Sequence, residues 1–432
     1  MQVLGLDIGT TTVSAVVMEN GKVLAAKTLK NDSFLPGRPA WEKVQDPAVI
    51  RATAMGAVEE LLEEYPLVER IGVTGQMHGI LYLDSRGEAV SPLYIWQDGR
   101  GDLPYDESCS YAAHLSKETG YPLATGFGLV THYYNLKNGL VPENAVTFCT
   151  IHDYMAMLLA CRTSPVTEAG DAASFGIFDL ENKCFDKAAL EKVGIDIALL
   201  PPLADNPCIG HTSKGIPVYV AIGDNQASFL GATGGQTNCM LVNVGTGSQF
   251  SVHVPGYVSC KGLETRPFPT EGYLLVGSSL CGGRAFALLE NFFRQTAKMF
   301  EVDCHSAYDA MFSCLKENPA PISPVVVEPL FQGTRQDPAL RGSIRNLDVH
   351  NFTPEALILG MMQGMTDELY AMYQCFTLSG GKCETMFGSG NGLRKNSYLR
   401  ECFENRFGFP LVMSSNEEEA ACGAALYAAV CH

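Results

Sequence analysis

LGLDIGTTTVSAVV, residues 4–17, and MLVNVGTGSQFSVH, residues 240–253, share one pattern: apolar strand, Gly-Thr turn, second strand. A repeat of this kind in each half of a 432-residue chain predicts two structurally similar halves that face each other. Reading outward from the first copy, strands are expected at Val3–Leu6, Thr12–Met18 and Val23–Thr28, with turns at Asp7–Thr11 and Glu19–Lys22. The second turn carries Asn20-Gly21, the pair favoured where both central residues need positive φ. The second copy supplies expected strands at Met240–Val244 and Gln249–Val254.

Between the copies, Asp46 as N-cap, Pro47 at the first helical position, and Val49, Ile50, Ala54, Val58, Leu61 and Leu62 at helical spacing predict a helix. Strands are expected at Arg70–Thr74 and Ile80–Leu83. An apolar strand over Val218–Ile222 should run into Gly223-Asp224-Asn225-Gln226, and the glycines of residues 231–235 read as a flexible joint. This puts one domain at residues 1–234 and another at 235–432. Helices are expected near Gly283–Met299, Pro354–Phe376, Arg394–Arg406 and Glu417–Val430, with strands at Thr385–Phe387 and Leu411–Met413. The Pro/Gly-rich stretch Asn318–Arg345 reads as irregular. Alternating strands and helices give an α/β layered fold.

A composition 46% hydrophobic and 18% charged is that of a folded protein. The formal net charge of −17 excludes a polyanion such as DNA or RNA as partner. ATP remains allowed, because a few backbone N–H groups and a metal ion suffice to hold it. The fifteen cysteines are scattered with no C-x-x-C spacing, so they read as reduced, buried small hydrophobes and speak against zinc. MQVLGLDIGT reads as a strand and not a signal peptide, and no stretch has the length to span a bilayer. The expectation is a cytoplasmic protein with no membrane or nucleic-acid partner. A homodimer is compatible with it, and the sequence leaves the oligomeric state open.

Phosphoryl transfer needs backbone N–H groups around the phosphates, a carboxylate for hydrated Mg²⁺, and a base for the acceptor hydroxyl. Asp7-Ile8-Gly9-Thr10-Thr11 offers the first two. Glycine lets the main chain approach phosphate, the Thr10 and Thr11 hydroxyls add donors, and Asp7 can hold the metal through water. A ligand-free hairpin has the same local sequence, so this motif alone leaves both readings open. Gly245, Thr246 and Gly247 in the second copy change the balance, because two such turns opposed across a cleft make a two-sided phosphate clamp. Coincidental duplication of a tight turn is the remaining alternative.

DIGTT, NVGTG, the GDNQ segment between them, and the C-terminal FGSGNGLRKN and EEEAACGAALYAA together resemble the FGGY carbohydrate kinases, over essentially the whole chain. The resemblance implies two ribonuclease-H-like domains of the actin/hexokinase/Hsp70 ATPase type. ATP, with Mg²⁺, would meet a small-molecule sugar in the cleft between them. It implies that Asp224 is the catalytic base. Independently, a carboxylate at a strand end just before the joint can reach a hydroxyl proton. The competing reading is an N-cap for a helix starting at Asn225. Gly75-Gln76-Met77-His78-Gly79 and Trp96-Gln97-Asp98-Gly99-Arg100 match the family's sugar-contacting loops. His78, Asp98 and Arg100 would give directional hydrogen bonds, Trp96 an aromatic face, and Asn225 a further contact. A core histidine, a core tryptophan and a local surface ion pair are the plainer alternatives. Gly388-Ser389-Gly390-Asn391 resembles the family's adenosine-binding turn, against an ordinary strand–helix loop.

Within the family, GQMHG is similar to xylulokinases. Gln97, Gly126-Phe127-Gly128 and the segment Ala172–Gly176 resemble the sedoheptulokinases, which implies a seven-carbon ketose phosphorylated on its primary hydroxyl. A protein of another class, an actin/Hsp70-type nucleotide-driven interaction protein, would need the ATP turns but no polyol pocket. The WQDGR and GDNQ segments favour the enzyme.

Overall fold

The first Gly-Thr hairpin forms the middle of a sheet in the computed structural model, which describes residues 1–317, 324–334, 337 and 339–431. Gln2–Ile8 (β1) pairs antiparallel with Thr12–Glu19 (β2), and β2 pairs antiparallel with Lys22–Lys30 (β3). Val68–Gly75 (β4) lies parallel to β1 on its other side. Cys208–His211 (β5), Pro217–Tyr219 (β6) and Ile222–Gly223 (β7) complete a sheet of order β5-β6-β4-β1-β2-β3, with β7 on the end of β4. Six consecutive residues of β2 are buried, as befits a strand covered on both faces, while the edge strand β3 alternates. Asn20 and Gly21 take φ of 50° and 76°, the positive values the β2–β3 turn requires.

The second sheet repeats the first. Cys239–Val244 (β8), Ser248–Val254 (β9), Glu264–Pro267 (β10), Tyr273–Ser279 (β11), Thr385–Ser389 (β12) and Leu411–Met413 (β13) run in the order β10-β11-β9-β8-β12-β13. Its core, β11-β9-β8-β12-β13, matches β3-β2-β1-β4-β6 in order and in every strand direction.

Helices cover the sheets. Asp46 caps Pro47–Glu64 (α1) by accepting from Ala48 N at 2.8 Å, and Ile50, Ala54, Ala57, Val58 and Leu61 form its buried stripe. Between β4 and β5, residues 76–207 build their own core around Tyr82, Phe148 and Phe175, and carry Ile151–Leu159 (α2) and Ala169–Phe175 (α3). Asp224–Thr233 (α4) follows β7. In the second half come Gly282–Met299 (α5), Pro354–Leu378 (α6), Asn391–Lys395 (α7), Ser397–Phe407 (α8) and Glu419–Val430 (α9). The last of these turns back to pack on α4, β1 and β4 of the first half. Among the described residues no helix is long and apolar enough to cross a membrane, and all fifteen cysteines are unbridged.

Several local expectations change. The strand over 218–222 is two pieces, because Val220 N turns aside to donate to Pro207 O at 2.7 Å. Gly231 is no joint. It lies inside α4, where a Cβ would fall 1.8 Å from Glu419 O, so the glycine serves close helix packing; α4 ends at Gly234 in the left-handed conformation. The helix expected over 394–406 is split at Asn396, whose side chain caps α8 by accepting from Leu399 N at 3.0 Å. Within the stretch expected to be irregular, Val326–Glu328 pairs with Ser343–Arg345; residues 318–323, 335, 336 and 338 lie outside the described residues.

Candidate active site

The ends of β1, β4 and β7 converge, and this convergence positions the first set of side chains. Thr10 joins three of them: its Oγ1 donates to Gln76 Oε1 at 3.1 Å and accepts from Trp96 Nε1 at 3.1 Å, and its carbonyl accepts from Gln45 Nε2 at 2.8 Å. Gln76 Nε2 donates in turn to Gln45 Oε1 at 2.9 Å. Thr11, by contrast, is exposed and engages through its carbonyl, which accepts from Asn31 N. Trp96 remains 46% exposed, presenting an open aromatic face next to Thr10.

His78 adopts φ of 71°, uncommon for a residue with a Cβ. Ser174 of α3 holds it there: its Oγ accepts from His78 N at 3.2 Å, and its carbonyl accepts from Nδ1 at 2.8 Å. A carbonyl can only accept, so Nδ1 carries the proton. The ring stacks on Phe127 at 4.8 Å. Met77 is buried beneath this loop.

Asp98 and Arg100 are turned to each other. Both are buried, and Asp98 takes Arg100 Nε at 2.6 Å, Arg100 Nη2 at 3.2 Å and Lys43 N at 2.9 Å. The Arg100 guanidinium also bonds Asn135 Oδ1 and lies 4.1 Å over the Tyr94 ring. The expectation that these two hydrogen-bond a sugar is therefore revised. Their polar atoms are spent on each other and on the loop that carries Trp96.

Asp224 is the first helical residue of α4. Gly223 occupies the N-cap and no side chain caps this end, so the capping alternative fails. Asn225 Oδ1 accepts from Gln249 Nε2 of β9 at 2.8 Å, a bond from the first half to the second, two residues beyond Gly247. Arg266 of β10 also crosses, placing Nη1 4.0 Å from Met77 Sδ.

The second turn borders a cleft of about 910 Å³. Gly245, Thr246, Gly390 and Asn391 line it; Gly247, Gly388, Ser389, Thr10 and Thr11 do not. Its walls come from residues 243–399, so the first turn stands outside this cavity. Gly283 N donates to Gly245 O and Arg284 N to Thr246 O, both at 3.0 Å, which seats the N-terminus of α5 on the turn. A Cβ on Gly390 (φ 85°) would fall 2.5 Å from Val244 O, and Ser389 Oγ accepts from Asn243 Nδ2 at 2.6 Å, locking the two loops together. Phe286 stacks on both Tyr308 and Phe312, giving the cleft an apolar wall. Tyr308 and Phe312 were not foreseen, since no local motif marks them. Gly282-Gly283 after a strand was a readable signal.

The electrostatics single out carboxyls. Burial, then Asp224 and Glu418, push Asp7 up to about 7, and its Oδ1 is buried without a partner. An orphaned carboxylate oxygen among carboxyls fits a cation. Burial raises Asp224, opposed by His152, Arg266 and Asn225. Beneath it, burial raises Asp153 to about 7 and Glu168 to about 8, raises Asp171, and lowers His152. No local motif marks this patch.

Two matching ribonuclease-H-like halves, the second holding a glycine-lined cleft, define a class, the two-lobed α/β fold of the actin/hexokinase type. The profile for the N-terminal domain of the FGGY family of carbohydrate kinases matches residues 2–231, and that for its C-terminal domain matches residues 240–432. The chain belongs to this family, whose members transfer a phosphoryl group to a sugar hydroxyl. It is 29% identical to sedoheptulokinase of Mus musculus, over 98% of this chain and 96% of that protein. Among solved structures, the xylulose kinase of Rhodospirillum rubrum superposes with a TM-score of 0.85 at 22% identity, over 100% of this chain and 90% of that one. The Plasmodium falciparum glycerol kinase with ADP gives 0.80 at 18% identity, over 99% and 89%.

Proposed function

We propose that this enzyme phosphorylates the primary hydroxyl of sedoheptulose with ATP and Mg²⁺, in the cytoplasm. The observation that carries the reading is the placement of Asp224. It is half-buried at a helix start, faces Asp7 from one turn, and adjoins Asn225, which bonds the strand leaving the other turn. A carboxylate there can take the proton of a bound hydroxyl. Trp96 offers its face to the C–H surface of the ketose, His78 and Asn225 offer polar contacts, and buried Gln76 braces Thr10 from below. Asp98 and Arg100 shape the loop. The amides of Thr246 and Gly247 and the Thr10–Thr11 turn suit the phosphates, while the Gly245 amide closes the turn on Gly247 O. The apolar wall of the cleft suits adenine, and Gly388 and Ser389 support the turn that closes it. Mg²⁺, held by Asp7 through its water shell, would neutralise charge on the transferred group.

Support for the seven-carbon sugar comes from the curated relative and from the Gln97, 126–128 and 172–176 segments. A coupled ADP-release panel of sedoheptulose, xylulose, ribulose and glycerol tests it. Sedoheptulose should give the highest kcat/KM; a clear preference for xylulose overturns the sugar assignment alone. In the same panel Asp224→Asn should lose turnover by about 10²- to 10⁴-fold while still binding ATP.

A further inference from the structure

Arg284 is the first residue of α5 that carries a side chain, and its guanidinium has no part in the reading above. The two glycines before it are dictated by the turn they pack on. A Cβ on Gly283 would fall 2.4 Å from Gly245 O, and one on Gly282 2.6 Å from Gly247 O. Backbone lies against backbone there, so the first side chain to leave the contact emerges beside Thr246. Arg284 lines the cleft, and the charged residues on the cleft walls are Arg284, Asp309 and Lys395. Lys395 ends α7, on the Gly390 side, and Asp309 follows Tyr308 at the apolar wall.

A helix N-terminus ordinarily meets phosphate with unpaired amides. At α5 two of these are spent, since Gly283 N and Arg284 N donate to Gly245 O and Thr246 O. The Gly245 amide is spent as well, on Gly247 O. Fewer main-chain donors face the cleft than its glycines suggest, and a polyphosphate still needs its charge met in a chain of net charge −17. A guanidinium meets it with a planar fork of donors. Among the described residues the Arg284 side chain donates to Gln332, from Nη1 to Oε1 at 2.6 Å, which fixes one corner of the fork and leaves its other donors for a ligand.

The order of groups along the cleft points to one phosphate. On α5, Arg284 precedes Phe286 and Ala287, which carry the wall toward Tyr308 and Phe312. The base belongs at that wall, and the γ-phosphate must reach Asp224 in the first half. The β-phosphate falls between them, at the turn. We propose that Arg284 binds the β-phosphate of the nucleotide and holds the charge it gains as the γ-phosphoryl group leaves. In that step the bond from Pγ to the bridging oxygen breaks and its electron pair stays on the β-phosphate. The ketose oxygen bonds Pγ, and the hydroxyl proton passes to Asp224. The inference rests on the nucleotide part of the reading above.

The test is calorimetric binding of ATP, ADP and AMP, each with Mg²⁺ and without sugar, to the wild-type enzyme, R284Q and R284K. R284Q should weaken ATP and ADP about tenfold or more, and AMP by less than about twofold. R284K keeps the charge and loses the fork, so its losses should be smaller. With the best ketose of the panel and saturating ATP, kcat of R284Q should drop about tenfold while the KM for sugar stays within about twofold. Unchanged nucleotide affinities, equal losses for ADP and AMP, a loss confined to ATP, or an unchanged kcat overturns the proposal. If R284Q does not fold, R284A is read in its place; if no variant lacking Arg284 folds, the residue is structural and the proposal falls. A wild-type enzyme that binds ATP and phosphorylates no ketose overturns the kinase reading. Wild-type turnover beside unchanged R284Q affinities removes only this inference.

Discussion

Thr10 is one hydroxyl with two hydrogen bonds, to Gln76 and from Trp96, so it ties the first Gly-Thr turn to the loop that carries Trp96. Thr10→Val keeps the shape and leaves two partners unpaired, each worth about 1 kcal/mol. Its kcat/KM should fall about tenfold for the sugar and for ATP together; an effect on one substrate alone would break the proposed link. Asp98 makes a contrasting case. Its carboxylate is buried against Arg100, and Asp98→Ala strands that guanidinium, which should cost about 3–5 kcal/mol in urea unfolding. A folded, fully stable D98A with only a raised sugar KM would restore the direct-contact role. The sequence shows Trp96 and Asp98 in one WQDGR motif; exposure, which separates their roles, is not written in it.

At the scale of elements, α4 and α9 meet without side chains between them. A Cβ on Gly423 would lie 1.8 Å from Ala227 O, and one on Gly231 1.8 Å from Glu419 O. The same helix sets Ala421 O 1.9 Å from a Cβ on Gly5, and Ala424 O 2.0 Å from one on Gly72. These neighbours are backbone and cannot swing away. Gly423→Ala should therefore destabilise by about 1–3 kcal/mol or more by overpacking, read from thermal or urea unfolding. A melting temperature equal to wild type would mean that the seam yields. The small residues of EEEAACGAALYAA already announced close packing in the sequence. The partner helix, nearly two hundred residues away, is not announced, so the glycines of residues 231–235 taken by themselves resemble a joint.

For the whole molecule, buried carboxyls make stability depend on pH. Asp153 and Glu168, raised by burial from 3.8 and 4.5 to about 7 and about 8, bind protons more tightly folded than unfolded. Their contribution is fully present below pH about 4 and is lost as pH rises through about 7 and 8. The melting temperature should therefore fall between pH 5.5 and 8.5, to be followed by calorimetry at about ten buffer points. In Asp153→Asn the fall should be shallower; an identical slope would show that Asp153 does not titrate in this window. The same scale holds α9, which completes the first half from the end of the chain. A chain ending at residue 417 should lose the cooperative unfolding of that half, because β1 and β4 would lose the helix packed on them.

Local rules of the sequence determined the elements whose demands lie within a few residues. The Asn20-Gly21 turn follows from dihedral preference, the Asp46–Pro47 helix start from capping, and the two Gly-Thr hairpins from alternating apolar strands around a tight turn. Family membership was legible for the same reason: phosphate-facing backbone needs glycine at fixed short spacings. Tertiary structure alone decided what burial and charge do to side chains brought together from distant elements. It buried Asp98 with Arg100, made Gly231 a helix contact, put Tyr308 and Phe312 on the wall of the glycine-lined cleft, and set His152 against Asp171. Desolvation and Coulomb interaction act through space, and neighbours in space are not written in neighbouring residues.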